Sequence, residues 1–294
     1  MRIPSILFAI MACLILSGCI QTDTVIHVRP DGSGTIEETV QLSNALIESM
    51  QNLGKEMSES VVGEKPEADA GPASDAKNDV KDKPAQTDPL QGMMKDAESH
   101  AAKYGPNVKF VSAAPVKGET MSGYKAIYSF KDINTLRINQ NPESKTAAPS
   151  GDKDQAPKKE EIIRFKLVKG PVSKLTMTMP AMDKKPDEAK KDDAAKKPTP
   201  DPAAAEMMKA FFKDMSVKLA IVIDGEIVET NATYRDKSQL TLLDMNFGKI
   251  IENQKIFDNL NAVQPKTIEE MKGLVKEIPG LKIEMNNPVE VAFR

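Results

Sequence analysis

Tryptophan is absent from the 294 residues, and the chain holds only two cysteines and two histidines. Aromatic residues make up 4% of it, so the core has to be built from aliphatic side chains and methionine, of which there are 16. Two histidines and two cysteines leave almost no material for a His/Cys metal site or a Cys–His nucleophile. Neither sign of charge dominates: 40 Lys and Arg oppose 43 Asp and Glu, a formal charge of −3. A nucleic-acid partner would require a basic stripe that this balance does not provide. The sequence also lacks G-x-S-x-G, H-E-x-x-H, a P-loop and G-x-G-x-x-G. These absences lead to the expectation of a chain that is not an enzyme, with no metal, no cofactor and no nucleic-acid partner.

What is present begins at the N-terminus. Arg2 forms a short basic region, Ile6 to Leu16 is apolar, and Ser17 and Gly18 are small. An apolar run of that length falls short of the roughly 20 residues that a membrane-spanning helix needs, which makes it a cleaved export signal. Leu16-Ser17-Gly18-Cys19 resembles the lipobox of bacterial lipoproteins. That resemblance implies cleavage between Gly18 and Cys19, with residues 1–18 as signal peptide and 19–294 as the mature chain. It further implies acylation of Cys19, palmitate being one such acyl group. Cys13 would be removed with the signal, so the mature chain has no disulfide and no free thiol, an unusual composition for an exported protein. Ile20 follows the cysteine where an Asp would signal inner-membrane retention in Gram-negative lipoproteins, so the outer membrane is expected if the source is Gram-negative. Removing Arg2 takes the formal charge of −3 to about −4. No later segment is long and apolar enough to span a bilayer as a helix.

Three stretches carry no hydrophobic periodicity: near 58–87, 141–159 and 183–202, all rich in Lys, Asp, Glu, Pro and Ala. Their apolar content is too low to offset ordering entropy, which predicts disordered insertions of mixed charge. The rest alternates between strand pairs and short amphipathic helices. Thr24 to Arg29 and Thr35 to Leu42 flank Pro30-Asp31-Gly32-Ser33-Gly34, a hairpin signal. Ser43 suits an N-cap ahead of the stripe Leu46, Ile47, Met50 and Leu53, which stops at Gly54. A second helix opens at Asp88-Pro89 and ends near Gly105-Pro106. Strands are expected over Asn107 to Ala113 and Tyr124 to Phe130. Ile163, Phe165 and Leu167 face Leu175, Met177 and Met179 in a half-buried hairpin. A helix from Ala203 to Met215 leads into a strand from Val217 to Asp224, which turns at Asp224-Gly225 into Glu226 to Thr233. Gln239 to Met245, helices over Phe247–Val263 and Thr267–Glu277, and strands over Leu281–Met285 and Val289–Phe293 complete the reading. The fold class expected is α+β, antiparallel hairpins with amphipathic helices covering one face in two layers. PDGSGTIEET from Pro30 and IDGEIVET from Ile223 suggest a repeated unit of hairpin, two helices and two strands.

Several motifs have a functional and a plain reading. Asp31-Gly32-Ser33-Gly34 matches the middle of a calcium loop, but Arg29 and Val40 stand where the two strongest carboxylate ligands belong, which favours a turn. Met177, Met179 and Met182 could hold Cu(I), yet the first two alternate on an apolar face where Met is ordinary filling. His27 and His100 read as isolated surface histidines. Asn231-Ala232-Thr233 is a glycosylation sequon by pattern alone. Glu37-Glu38 and Glu269-Glu270 are adjacent in sequence and point to different faces, so neither forms an acid–base pair by itself.

The DGSGT turn in a hairpin directly after the lipobox is similar to LppM-like envelope lipoproteins, across about the first 40 mature residues. The resemblance implies a lipid- or envelope-associated role, and the three charged insertions depart from it. The function expected is a lipid-anchored envelope module, attached to the membrane through Cys19, that binds a protein partner or an apolar ligand between sheet and helices. An envelope-polymer hydrolase using Asp and Glu side chains, and a structural tether, are the alternatives.

Overall fold

A computed structural model describes residues 20–52, 89–139, 162–180, 212–252 and 268–294. Gly18, Cys19 and the three charged insertions lie outside the described residues, as does most of the helix expected from Ala203.

The fold is mixed α+β, with antiparallel hairpins and few helices. Strands β1 (Ile20–Val28) and β2 (Gly34–Ser43) form the hairpin predicted around the DGSG turn, with Ile26 opposite Ile36. Ser43 caps the helix α1 (44–52), its hydroxyl accepting from the Leu46 amide at 3.2 Å. Helix α2 (Pro89–Tyr104) begins on proline and stops at Gly105, whose φ is +138°. Strands β3 (Lys109–Lys117) and β4 (Met121–Phe130) return antiparallel, β4 pairing β2. A 3₁₀ turn at Ile133–Thr135, N-capped by Asp132, leads to β5 (Arg137–Asn139).

Strands β6 (Ile162–Val168) and β7 (Ser173–Thr178) pair with Phe165 opposite Met177 and Leu167 opposite Leu175, the register that the alternation predicts. Then come β8 (Ser216–Ile223), β9 (Ile227–Thr230), β10 (Arg235–Asp236) and β11 (Gln239–Asn246). Helices α3 (Phe247–Glu252) and α4 (Ile268–Glu277) precede β12 (Leu281–Ile283) and β13 (Val289–Phe293), and the rest of the helix expected from Phe247 to Val263 lies outside the described residues.

These strands form two sheets. The first runs β10-β11-β8-β1-β2-β4-β3, with β12 also on β11; the second runs β5-β6-β7-β13-β9. The expected turn at Asp224-Gly225 does not make a hairpin. The Asp224 amide bonds the Val28 carbonyl, and Glu226 exchanges two backbone hydrogen bonds with Arg294. That switch carries β9 onto β13 in the second sheet, while β8 pairs β11 instead. The suggested repeat therefore differs between its halves, since β1 and β2 pair directly and β8 and β9 do not.

β1 and β8 join the two halves by a parallel ladder, Gln21 beside Ser216 through Val28 beside Ile223. The inner face of the first sheet is covered by α2 and by the second sheet. One continuous core links Ile26, Ile36, Tyr128 and Ile221 of the first sheet with Ile163, Leu175, Met177, Val291 and Phe293 of the second. A separate small cluster of Leu42, Leu46 and Ile47, with Leu90 and Met93 against it, sits where β2 passes into α1.

Candidate functional site

Along β2 the residues facing the core are Ile36, Glu38 and Val40, so one glutamate interrupts an apolar row. Its strand neighbours are Thr24 on β1 and Ala126 on β4. Helix α2 lies across this face with Ala97 fully buried. His100, one turn further on, comes down on the same flank. Glu38 is consequently 9% exposed and surrounded by donors.

The Tyr128 hydroxyl lies 2.8 Å from Glu38 Oε2 and 2.9 Å from the Ala97 carbonyl, so one proton serves two acceptors. His100 Nδ1 is 3.4 Å from the same Oε2 and 3.5 Å from the Tyr124 hydroxyl. Tyr104 at the end of α2 bonds both Glu38 and Thr24, and its ring centroid stands 5.2 Å from that of Tyr128. Three of the protein's four tyrosines thus meet around one carboxylate.

The electrostatics follow from this geometry. Burial pushes the Glu38 carboxyl up, but hydrogen bonds from His100, Tyr128 and Tyr104, together with the charge of His100, outweigh it and hold the carboxyl below its ordinary value. Burial, then the charge of Glu38, pushes the phenols of Tyr104, Tyr124 and Tyr128 upward. At neutral pH Glu38 is an ionised acceptor among protonated tyrosine hydroxyls. The arrangement clamps α2 to the β1–β2–β4 face.

Across the sheet the outer face is polar. Lys125, Thr39, Asp23, Lys218 and Asp244 form one row over β4, β2, β1, β8 and β11. Lys218 Nζ is 3.8 Å from Asp23 Oδ2, and Glu37 pairs with Lys125. Asp23 Oδ1 is covered without a hydrogen-bond partner among the described residues. Burial, opposed by Lys218 and reinforced by Asp244 and Glu37, leaves its carboxyl above the ordinary value.

The residues singled out from sequence fall as follows. Glu37 and Glu38 do point to opposite faces, and only Glu38 enters the cluster. His27 faces outward as expected, between Asp224 at 3.6 Å and Glu37 at 4.0 Å. His100 is not the isolated surface residue expected: the lie of α2 on the sheet half-buries it against Glu38. Asp31 is exposed, and its carboxylate is engaged within its own turn. Its Oδ1 accepts from the Ser33 amide at 2.9 Å and hydroxyl at 2.7 Å, closing a turn around Gly32 at φ +81°. Met177 is fully buried opposite Phe165 and Val289, Met179 packs against the same core, and Met182 lies outside the described residues. Asn231 is tied to the β13 approach, its amide nitrogen donating to the Pro288 carbonyl and its oxygen accepting from the Glu290 amide. The side chains of Glu269 and Glu270 lie outside those described.

Sequence reasoning missed the tyrosines. The signal was available: Tyr124, Ala126 and Tyr128 alternate on the face that also holds Glu38, and a glutamate inside an apolar alternation requires buried donors.

No family of known proteins and no curated protein matches the sequence. Among solved structures, the chain is similar to the folded domain of the LppM protein of Mycobacterium tuberculosis, determined by NMR. The TM-score is 0.28 and the identity 9%, over 95% of this chain and 91% of that one. A likeness at that level says nothing of activity or ligands. Among the described residues no helix is long and apolar enough to cross a membrane.

Proposed function

We propose that the protein is a lipid-anchored lipoprotein of the cell envelope, acylated on Cys19, whose α+β body serves as a non-enzymatic binding or scaffold module. The observation that carries this reading is the Leu16-Ser17-Gly18-Cys19 lipobox behind an export signal. Ile20 after the cysteine favours the outer membrane of a Gram-negative cell. The module's partner is an envelope protein or an apolar ligand. The non-enzymatic role is supported by how the buried acids are used: Glu38 is occupied by donors from its own fold, and Glu284 accepts from Thr233 and the Asn286 amide.

The test is the intact mass of the chain extracted from envelopes, beside a Cys19→Ala variant. A chain starting at Cys19 and carrying acyl groups, with the variant unprocessed and unacylated, is the expected result. An unacylated mature chain would overturn the anchored reading. Native mass spectrometry of the body from Gln21 onward then tests binding, a retained lipid or peptide mass identifying the ligand.

A further inference from the structure

We infer that the pole of the domain where β1 begins rests in the interfacial layer of the bilayer, with the exposed side chains of Ile20 and Met50 as its contact. The inference rests on acylation of Cys19 and adds which surface meets the lipid. β1 starts at Ile20, one peptide bond after the cysteine, and Ile20 is already held in the ladder opposite Leu42. Consecutive Cα atoms lie about 3.8 Å apart, so no flexible linker separates the lipid from the sheet. The polar headgroup layer adds only about 5–8 Å on each side of the hydrocarbon core. Ile20 therefore stands within or against that layer, and the sheet rises from it along β1.

The side chains at this pole suit the position. Ile20 is 37% exposed and Met50 43% exposed, two of the few large apolar side chains left open to solvent among the described residues. Ile20 pairs with Leu42, Leu42 packs with Leu46 and Ile47, and Met50 continues the stripe one turn along α1. This cluster is separate from the main core. Leu46 and Ile47 are buried under Leu90 and Met93, which leaves Met50, with Ile20, as the apolar surface that adds to the acyl anchor. The opposite pole is remote. Val28 lies eight residues along β1, about 26 Å away at the usual rise. The DGSG turn beyond it contacts the β6–β7 turn, where the Ser173 hydroxyl reaches the Pro30 carbonyl and Val172 is exposed.

The absence of tryptophan makes the test clean. The full acylated chain carrying Met50→Trp or Ile20→Trp is reconstituted in vesicles of phosphatidylethanolamine and phosphatidylglycerol, with and without brominated acyl chains. Val172→Trp reports on the remote pole. Expected is a blue-shifted emission that brominated lipid reduces by roughly half or more for Met50→Trp and Ile20→Trp, and no quenching for Val172→Trp. Equal quenching at both poles, or none at Met50→Trp and Ile20→Trp, overturns the orientation, including the case in which a protein partner covers this pole instead. The mass of each reconstituted sample separates the two failures. An acylated chain without quenching refutes the orientation alone, whereas a chain without acyl groups refutes both.

Discussion

Glu38 and Asp23 sit on adjacent central strands and face opposite sides of the sheet, and their charges have opposite consequences. Glu38 is held below its ordinary value of 4.5 by donors that favour the ionised form. Such a group adds stability that is complete above about pH 4.5 and is lost as pH falls through its folded value. Glu38→Gln should therefore cost stability at neutral pH, with the difference from wild type shrinking on acidification. Urea midpoints measured from pH 7 downward check this. Tyr128→Phe removes a buried donor and should cost about 1–3 kcal/mol by the same measurement. Asp23 is held above its ordinary value of 3.8 by burial. Its ionised form is therefore disfavoured by folding, and stability falls as pH rises from 3.8 through the folded value. Asp23→Asn is expected to leave stability at pH 7 unchanged or raised. A lowered melting temperature there would show that the Lys218 pair dominates instead.

At the scale of elements, glycines separate tight contacts from open ones. A Cβ on Gly123 would stand 2.7 Å from Gln41 Cα and 2.8 Å from the Val40 carbonyl carbon, across the β2–β4 ladder. Backbone cannot yield there as a flexible side chain would, so Gly123→Ala should destabilise by about 1–3 kcal/mol or more. Gly92 in α2 and Gly273 in α4 meet nothing within 4 Å. Gly92→Ala and Gly273→Ala should each stabilise by up to about 1 kcal/mol through helix propensity. Thermal unfolding of the three variants decides all of these. The same scale shows what was legible beforehand. Period-two alternation gave the β6–β7 register, and Ser43 announced the start of α1, because both signals are local. The Asp224-Gly225 pair is an equally good local signal and misleads, since the hydrogen bonds that redirect the chain come from Arg294. The Glu38 cluster escaped for the same reason: its donors lie on α2 and β4, and only the inward alternation of β2 hinted that they were needed.

For the whole molecule, the first and last described strands are both interior. β1 lies between β8 and β2, and β13 between β7 and β9. Val289, Val291 and Phe293 are fully buried, so the last strand supplies core as well as pairing. Deleting residues 289–294 should split the second sheet and abolish cooperative unfolding rather than trim a terminus, which circular dichroism melting would show. On one edge strand, β3, the ladder to β4 carries a bulge between Phe110 and Ser112, and Pro115 has no amide to offer a further strand.

The parallel ladder between β1 and β8 has a consequence in time. A polypeptide emerges from its N-terminus, so β1 and β2 can pair early, whereas the other side of β1 stays open until Ser216 to Ile223 has been made. Through most of synthesis, a nine-residue strand in the middle of the finished sheet is therefore a raw margin. Chains that stop short of β8 keep that margin permanently. Truncated products of this protein are thus marked by the kind of exposed strand that invites aggregation, while the complete chain conceals it with its own second half.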